Sequence, residues 1–572
     1  MIWYIGDLAR HKAEREALEA LAGKASWFNP AGWRVDDRLR LILAFDIVAG
    51  GQSYALQLRY PESFPNSPPS VIPVDSSALL SGHQYGPGGE LCLEIRADNW
   101  TPDLMGYQII ESAYRLLSGE NPAPNERAVV PSAHETTLGQ ELRSELRRLT
   151  ISRDGMTLLR LLPEAGTMSG KARFLNREDA YLYVIDTYEI PDNKFTDPAI
   201  PTVLALEGTE LNVSFVRLTT DAVLPGLKPL DDFKSAVAGF GADPTTDIVV
   251  LVRGEKVYPY RIFSTSVHKL GVVRLPKFKA RLGADHGILV TKHVALIGCG
   301  SMGSKIATSL ARSAVGKFLL VDDDVLTLDN FVRNDLDWRD VGLNKADALS
   351  TRLKLVNPAV TVRARRVQLA GQESAESADS VVVSLAECDL IIDATANPAA
   401  FNVIAGIAGT AKKPVVWAEV FAGGIGGLIA RCRPGLEPPI PLMRRAIENW
   451  FEEQGAPPVR GGRRYDQDGE ENPMVADDAD VTAIAAPAAR MAIDCLLSRD
   501  PSFFPHSVYA IGLAPGSIFT QAFEVFPITL GEPPREEDQQ KLSTEDAAAE
   551  IRSILQIITS SNGETNPDKK DG

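Results

Sequence analysis

Apolar and polar residues alternate with the period of an amphipathic helix near the amino terminus, from about Leu8 to Leu21. A second helix is predicted in "GYQIIESAYRLLSGENPAP", residues 106–124, where glycine and proline end the apolar pattern. Between them lie short strand patterns and a proline-rich stretch, "YPESFPNSPPSVIP". Together these patterns predict an α+β domain over residues 1–145.

Residues 150–285 show mainly strand patterns. One hairpin is predicted in "LTISRDGMTLLRLL", turning at Asp154 and Gly155, and another in "DIVVLVRGEKVYPYRIF", turning near Gly254. No motif for catalysis is recognised in this β-rich middle domain. We therefore expect it to be a scaffold or a docking surface.

From residue 286 the pattern changes to strand, turn, helix and strand in "KHVALIGCGSMGSKIATSLARSAVGKFLLVDDD". The alternation continues through "DLIIDATANP" and "KPVVWAEV", which predicts a Rossmann-like, doubly wound α/β domain over residues 286–532. Residues 533–572 are expected to contain one short helix and a polar, disordered end.

Three glycines, Gly298, Gly300 and Gly303, lie between an apolar strand and a helix. Glycine lets the backbone turn tightly and approach a phosphate at the amino end of the helix, where N–H groups are free. The next strand ends in Asp322, an acid suited to hydrogen bonding with ribose hydroxyls. The alternative is that the glycines serve only close packing of helix and strand. The strand, loop, helix and acid together favour nucleotide binding.

Two cations follow this acidic strand end. Arg333 lies 11 residues after Asp322, and Lys345 lies 23 residues after it at the start of a predicted helix. Cations near the phosphates neutralise charge that develops during phosphoryl transfer and on departing pyrophosphate. Asn330 is a candidate to hold the loop between them. The alternative, that both cations are solvated surface charges, is weakened by the acid and the glycine loop beside them.

The ordered set "GCGSMGSKIA", "LLVDDDVLTLDNFVRND" and "GLNKADAL" resembles the adenylation domain of ubiquitin-activating enzymes and of their ThiF- and MoeB-like bacterial relatives. The resemblance covers about residues 280–530. It implies ATP and Mg²⁺, with the C-terminal carboxylate of a modifier protein as nucleophile on the α-phosphate. By position, Asp322 would hold the ribose, and Asp324, Arg333 and Lys345 would serve the phosphates.

The expected metal position departs from that family. Relatives carry an Asp-Asn pair after the next strand, and its aspartate supports Mg²⁺, whereas "IIDATANP" has Ala396 before Asn397. Asp393, three residues earlier, is the candidate metal ligand instead. Arg281 loosely matches an arginine that the family reaches across its dimer, and a homodimer is expected from the family alone.

One cysteine of the first domain lies in a glycine-rich setting, "HQYGPGGELCLEIRADNW", residues 83–100. One interpretation is a buried strand, "LCLEI". The other is that Cys92 accepts an acyl group. In its favour, strand alternation would put Leu91 and Leu93 on the opposite face, and the glycine loop leaves room for another chain.

The first domain also resembles a ubiquitin-conjugating enzyme. The helix, "YPESFPNSPP", His83, Cys92 nine residues later and "NWTP" occur in the order of that family, which implies a thioester on Cys92. The family's His-Pro-Asn motif is incomplete, because "HQY" stands in its place. We therefore expect His83 to be structural and Asp98 or Asn99 to take the polar role of the asparagine.

Activating enzymes of the full ubiquitin type carry a further cysteine between the adenylate and the conjugating enzyme. No cysteine occurs in the expected loop before "VTAIAAPAARMAIDCLL", and Cys495 in that helix is expected to be core. Arg431 and Arg433 flank Cys432, and their charges would lower its pKa, although a structural role is the preferred interpretation. Three routes stay open: Cys432, an oxyester on a hydroxyl, or direct transfer to Cys92.

Composition narrows the partners and the compartment. A formal net charge of −16 disfavours nucleic acid and anionic membranes as partners. Five cysteines in 572 residues, without regular pairing, are typical of a reducing compartment. We recognise neither a signal peptide nor an apolar run long enough to span a membrane. A cytoplasmic protein is expected.

The combined interpretation is a fused activating and conjugating enzyme, similar to fusions found in anti-phage operons. Its partners would be a ubiquitin-like protein, or the C-terminus of a cyclic-nucleotide synthase, and a target amine. One alternative is a nicotinamide-dependent oxidoreductase, which the glycine loop alone permits. Another is a noncatalytic interaction protein with decayed enzyme domains, consistent with Ala396 and Tyr85 where the two families have aspartate and asparagine.

Overall fold

The computed structural model describes residues 2–561, except 87, 123–127, 129, 132–137, 144, 191–192, 228, 275–281, 372–374, 457–475 and 533–542. The chain divides into two compact units, residues 1–143 and 144–572. The predicted middle and Rossmann-like segments therefore both belong to the second unit. Residues 562–572 of the predicted polar end, 560–572, and the predicted cross-dimer residue Arg281 lie outside the described residues.

The first unit is α+β. Its sheet is an antiparallel meander in the order β1-β2-β3-β4, and a short hairpin of β5 and β6 follows it. The strands are β1 (Phe28–Val35), β2 (Leu41–Ala49), β3 (Gln52–Arg59), β4 (Ser70–Pro73), β5 (Gln84–Tyr85) and β6 (Glu90–Leu91). The helices are α1 (Trp3–Gly6), α2 (Leu8–Lys24), α3 (Gly106–Glu120) and α4 (Leu138–Glu141).

The two predicted helices of this unit are confirmed as α2 and α3. Helix α3 buries one apolar face in the core, because its apolar residues recur at helical spacing at Ile109, Ala113 and Leu117. A buried carboxylate joins the two helices and the sheet: Glu14 accepts hydrogen bonds from the Tyr60 hydroxyl at 2.8 Å and from the backbone N–H of Gly106 at 2.9 Å.

The first part of the second unit is a nine-stranded sheet in the order β14-β13-β12-β11-β8-β9-β7-β15, with β10 paired to β9. The strands are β7 (Arg147–Ile151), β8 (Thr167–Arg177), β9 (Ala180–Ile190), β10 (Asn193–Thr196), β11 (Thr209–Arg217), β12 (Ile248–Arg253), β13 (Lys256–Ile262), β14 (Val267–Lys269) and β15 (Gly271–Arg274). The helices are α5 (Arg153–Leu161), α6 (Thr202–Glu207) and α7 (Leu230–Gly239). Strands β14 and β15 are consecutive in the chain, and they form the two ends of this strand order.

Of the two hairpins predicted here, one is confirmed and one is wrong. Strands β12 and β13 form the expected antiparallel hairpin around Gly254. Residues Arg153–Leu161, in contrast, form helix α5. The side chain of Ser152 accepts a hydrogen bond from the N–H of Gly155 and caps the helix, and Met156 and Leu159 are buried at helical spacing.

The remainder of the second unit is an eight-stranded sheet in the order β18-β17-β16-β19-β20-β21-β22-β23. The strands are β16 (His293–Ile297), β17 (Lys317–Val321), β18 (Thr361–Arg365), β19 (Leu390–Asp393), β20 (Val415–Phe421), β21 (Gly426–Cys432), β22 (Val508–Gly512) and β23 (Val525–Pro527). The helices are α8 (Ser301–Arg312), α9 (Lys345–Val356), α10 (Ala375–Ala386), α11 (Pro398–Ala411), α12 (Ile440–Glu453), α13 (Asp478–Leu496) and α14 (Thr544–Ser561). Short 3-10 helices span Ala284–Thr291, Leu328–Asn330, Trp338–Asp340 and Ala422–Gly424.

Strands β18 to β20 are parallel and β21 to β23 continue the sheet antiparallel. Apolar residues of α8, α9 and α13 pack in one core cluster, and those of α10, α11 and α12 pack in another. The predicted doubly wound α/β fold is therefore confirmed. Among the described residues, each helix lacks the length or the apolar content needed to cross a bilayer.

Candidate functional site

The chain order reverses between two neighbouring parallel strands, β16 and β19. Ile297 at the end of β16 pairs with Asp393 at the end of β19 on one side and with Val321 of β17 on the other. The carboxyl ends of these strands lie at one edge of the sheet, at the switch point where open α/β sheets bind ligands. The predicted glycine loop, Asp322 and Asp393 therefore meet at this edge.

The glycine loop follows β16 and leads into helix α8. Gly298 has φ of +88°, a conformation that side chains rarely tolerate. A Cβ on Gly303 would lie 1.9 Å from the carbonyl oxygen of Gly298, so only glycine permits this close turn, whereas a Cβ on Gly300 would meet open space. Gly300 is the N-cap of α8 and provides no side-chain cap, which leaves the first N–H groups of the helix for a ligand.

Asp322 ties the end of β17 to this loop. Its carboxylate accepts hydrogen bonds from the backbone N–H of Cys299 at 2.6 Å and of Asp324 at 2.9 Å. Burial raises the pKa of Asp322, and these two N–H donors oppose that effect. The acid is thus held at the mouth of the glycine loop.

Lys345 stands at the start of α9 and points to the same edge. Its ammonium contacts the Asp324 carboxylate at 2.9 Å, and its backbone N–H donates to the carbonyl of Asp324 at 2.9 Å. The Lys345 side chain is 11% exposed and that of Asp324 is 67% exposed. Asn344 caps α9 by accepting a hydrogen bond from the N–H of Ala346. The helix start thus fixes one of the predicted cations beside one of the predicted acids.

The segment between these acids and Lys345 is also anchored. Asn330 accepts a hydrogen bond from the N–H of Thr327 at 3.2 Å, within the short helix at Leu328–Asn330. Among the described residues, the Nε atom of Arg333 is one of seven buried side-chain nitrogens without a hydrogen-bond partner, six of which are arginine Nε atoms. A buried guanidinium nitrogen without a partner is costly unless a ligand supplies an acceptor.

The prediction missed Asn334. This buried amide donates to the carbonyl of Cys299 in the glycine loop at 3.3 Å and accepts from the N–H of Leu336 at 3.1 Å. Next to it, Asp335 accepts from the Thr308 hydroxyl of α8 at 2.7 Å. The only signal in the sequence was an asparagine next to Arg333, which does not reveal a bond to a loop 35 residues away.

Asp393, the candidate metal ligand, is buried at the end of β19. Its Oδ1 accepts hydrogen bonds from the N–H of Thr395 at 2.9 Å and from the Thr395 hydroxyl at 2.7 Å, and burial raises its pKa. Ala396 has φ of +50°, a region that asparagine and aspartate adopt more readily than alanine. Within the described parts of the chain, no group of three or more histidine, cysteine or acidic side chains is arranged to hold a metal.

The Cys92 site belongs to the first unit. The predicted strand "LCLEI" ends at Leu91, and Cys92 follows it in a loop, its N–H donating to the carbonyl of His83 at 2.7 Å. Leu91 and Leu93 are buried and Cys92 is partly exposed. The Nε2 atom of His83 lies 2.6 Å from the carbonyl oxygen of Val130, a contact that fixes the loop.

A cation lies against the sulfur of Cys92. Nη1 of Arg96 donates to Cys92 Sγ at 3.2 Å. Asn99, one of the two residues expected to replace the family's asparagine, accepts from the N–H of Arg96 at 2.7 Å and donates to the carbonyl of Glu94 at 2.7 Å. Its amide therefore maintains the loop and does not point at the sulfur.

The environment of Cys432 favours the structural role preferred from the sequence. Burial raises the pKa of its thiol to about 12, the Glu437 carboxylate raises it as well, and the lowering by the Arg433 charge is outweighed. Arg431 is instead paired with buried Asp494 at 2.8 Å, and Arg433 is paired with Glu437. The thiol pKa of Cys495 is likewise raised by burial, to about 11.

Residues 283–437 match the model of the ThiF family. A curated relative, the ATP-dependent ubiquitin transferase-like protein Cap2 of Pseudomonas aeruginosa, is 30% identical over 146 residues, 25% of this chain and 23% of that protein. The protein of the same name from Vibrio cholerae is 32% identical over 158 residues, 26% of each chain. This chain thus spans about a quarter of the length of these curated relatives.

Among solved structures, the crystal structure of Escherichia coli MccB with AMPCPP and MccA is similar to 44% of this chain and 67% of that chain, at 17% identity and a TM-score of 0.34. The ThiF match contains the glycine loop, Asp322, Asp324, Lys345 and Asp393, whereas Cys92 lies outside it. The polar edge of the second unit is therefore the part of this chain that is similar to the ThiF family.

Proposed function

We propose that this chain activates the C-terminal carboxylate of a protein with ATP and transfers the acyl group, through a thioester on Cys92, to a target amine. The observation that carries the proposal is the Asp322, Asp324 and Lys345 arrangement beside the glycine loop. It provides an acid for ribose, N–H groups for phosphate and a cation for the charge that develops during phosphoryl transfer.

In the first half of the reaction, a carboxylate oxygen attacks the α-phosphorus of ATP, and the bond to pyrophosphate breaks. Asp322 would hold the ribose hydroxyls, and the free N–H groups at Gly300 and the start of α8 would bind phosphate oxygens. Lys345 and Arg333 would stabilise the charge on the phosphorus centre and on the departing pyrophosphate. The partnerless Nε of Arg333 supports this role.

Mg²⁺ would be held through Asp393. Magnesium in nucleotide sites is often bound by one or two carboxylates, with phosphate oxygens and water completing its shell, so the one carboxylate of Asp393 is sufficient for the ion. Bound there, the ion would neutralise phosphate charge. Asp393 lies next to Ile297 at the entrance to the glycine loop, and its hydrogen bonds to Thr395 orient the carboxylate.

In the second half, the Cys92 thiolate attacks the acyl carbon and AMP departs. An amine nitrogen then attacks the thioester, the C–S bond breaks and an amide forms. Cys432 is an unsuitable carrier because its buried thiol remains protonated near neutral pH. We therefore favour direct transfer from the adenylate to Cys92, with an oxyester as the other route.

The modifier would be a ubiquitin-like protein or the C-terminus of a cyclic-nucleotide synthase, and the enzyme would act as a homodimer. The relative in Pseudomonas aeruginosa is an ATP-dependent ubiquitin transferase-like protein, and this similarity supports a protein substrate. Under the same proposal, the fold of the first unit is that of a ubiquitin-conjugating enzyme, the setting is anti-phage defence and the compartment is the cytoplasm.

ATP–pyrophosphate exchange tests the activation step. The exchange is measured with the full chain and with each small protein or cyclase encoded beside its gene. Arg333→Ala is expected to abolish exchange that the unchanged chain supports. Exchange at the original rate in Arg333→Ala would remove that residue from the site, and exchange without any carboxylate substrate would contradict the proposed chemistry.

A further inference from the structure

We infer that Arg96 is a catalytic residue for acyl transfer at Cys92, stabilising first the thiolate and then the oxyanion of the transfer step; this inference rests on the proposed thioester function. The contact that identifies it is the 3.2 Å hydrogen bond from Nη1 to Sγ. A sulfur atom is a weak acceptor when it is a neutral thiol, and hydrogen bonds to an ionised partner are stronger.

The loop around Arg96 holds its guanidinium in place. The Arg96 N–H donates to the Asn99 side chain, and the guanidinium carbon lies 5.4 Å from the centre of the Tyr85 ring. The Tyr85 hydroxyl in turn donates to Glu90 at 2.9 Å, and burial, with this acceptor, raises the pKa of Tyr85 to about 12. Tyr85 is therefore a neutral aromatic support for the cation at neutral pH.

Tyr85, which supports Arg96, occupies the sequence position at which ubiquitin-conjugating enzymes have the asparagine of the His-Pro-Asn motif. Tyr85 is the third residue of "HQY", the stretch that replaces the His-Pro-Asn motif. Under this inference, Arg96 stabilises the oxyanion as the asparagine does in that family, and Tyr85, at the asparagine's position, orients Arg96. Asn99 is already engaged in the loop at both ends of its amide, so it does not compete for this role.

Arg96 also borders a cavity of about 370 Å³, whose lining contains the neighbours Leu91 and Leu93 but not Cys92 itself. Arg96 lines it together with the apolar side chains of Leu93 and Ile95, and with Tyr85 and Asp98. An acyl carbonyl attached to Cys92 and an incoming amine both require space beside the sulfur. Arg96 contacts Sγ and also lines this cavity, so the acyl carbonyl would lie on the side of Sγ that the guanidinium occupies, next to the cavity rather than within it.

Arg96 would act during transfer of the acyl group from Cys92 to the amine. The amine nitrogen attacks the thioester carbon, the π electrons of the C=O bond move to the oxygen, and Arg96 donates to that oxyanion. An electron pair of the oxyanion then re-forms the C=O bond, the C–S bond breaks with its electron pair leaving on Sγ, and the thiolate regains its hydrogen bond from Arg96. The proton of the attacking amine passes to water. Arg96 thereby serves both atoms that gain negative charge.

The test uses a small acyl donor, so that it does not depend on the identity of the modifier. In a Cys495→Ser background, S-phenyl thioacetate acylates Cys92 with loss of thiophenolate, and mass spectrometry locates the acetyl group. Decay of the S-acetyl adduct is then followed with methylamine as acceptor. The variants are Arg96→Ala, Arg96→Lys and, as a matched control, Arg115→Ala, which removes an exposed arginine paired with Glu94 in the same unit.

Arg96→Ala is expected to slow methylamine-dependent decay by about 10²–10³-fold, the usual effect of removing one oxyanion donor. Added guanidinium ion should restore part of the rate in Arg96→Ala only, and Arg96→Lys should be intermediate. If Arg96 only maintained the fold, added guanidinium ion would not restore the rate. Arg115→Ala should decay at the original rate.

Unchanged decay in Arg96→Ala, loss of activity without guanidinium rescue, or failure of Cys92 to accept the acetyl group would each overturn the inference. The proposed function fails by a separate measurement, namely the absence of an ATP-dependent adduct on the unchanged chain. The acetyl decay rates would stand in that case, so the two failures are distinguishable.

Discussion

Replacing Lys345 by methionine removes one cation from the proposed activation site while keeping a side chain of similar length. The Lys345 side chain is 11% exposed, and its ammonium group is the part of that side chain that contacts the Asp324 carboxylate, at 2.9 Å. Methionine fills the space of the stem, so packing at the start of α9 should be retained. The substitution therefore separates the charge from the fold.

The two expected magnitudes differ widely. Loss of one preorganised charge donor in a transition state costs about 2.7–4 kcal/mol, or 10²–10³ in rate. The stability cost should be about 0–1 kcal/mol, because Asp324 is 67% exposed and water can solvate its unpaired carboxylate. In a melting experiment this corresponds to a decrease of at most about 2–4 °C.

The assay combines ATP–pyrophosphate exchange with thermal melting of the same preparations. Lys354→Met is the matched control, because Lys354 lies in the last turn of the same helix, far from the glycine loop along α9. Exchange in Lys345→Met within threefold of the unchanged chain would refute the role of the cation. A large fall in melting temperature would show instead that the ammonium group maintains the fold.

Two further predictions concern Asn334, which the sequence did not indicate, and Cys432, whose thiol is buried. Asn334→Ala should destabilise the chain by about 1–3 kcal/mol and weaken ATP–pyrophosphate exchange, because loss of the amide leaves the buried carbonyl of Cys299 without that donor. Asp329→Ala, which changes an exposed side chain, is the control. Equal melting temperatures for Asn334→Ala and the control would contradict the argument. At pH 8, iodoacetamide should label Cys92 in the native chain long before Cys432, because a pKa of about 12 leaves Cys432 with a thiolate fraction of roughly 10⁻⁴. Mass mapping that finds the two labelled at similar rates would contradict the burial of Cys432.

The parts of the fold that local pattern determines were predictable. The glycine loop, the Asp322 strand end and the α8 stripe follow from residues that are close in sequence, and the structure brings them to one edge. The hairpin at Asp154 was wrong because an Asp-Gly pair also suits the first turn of a capped helix. The apolar residues that follow fit both periods, since Met156 and Leu158 are spaced for a strand and Met156 and Leu159 for a helix.

Contacts between distant segments were not predictable. The pKa of Cys432 depends first on burial and then on Glu437, and burial by the packed fold cannot be read from the two adjacent arginines in the sequence. The position of Arg96 beside Cys92 depends on the loop closed by Asn99 and not on strand alternation, because the strand ends at Leu91. These features require the tertiary structure.

The most direct test of the central proposal is an adduct on Cys92. The full chain is incubated with MgATP and each candidate modifier encoded beside its gene, and the products are separated with and without dithiothreitol. The account predicts an ATP-dependent adduct that dithiothreitol removes and that Cys92→Ala does not form. An adduct that persists in Cys92→Ala, or one that forms without ATP, would contradict it.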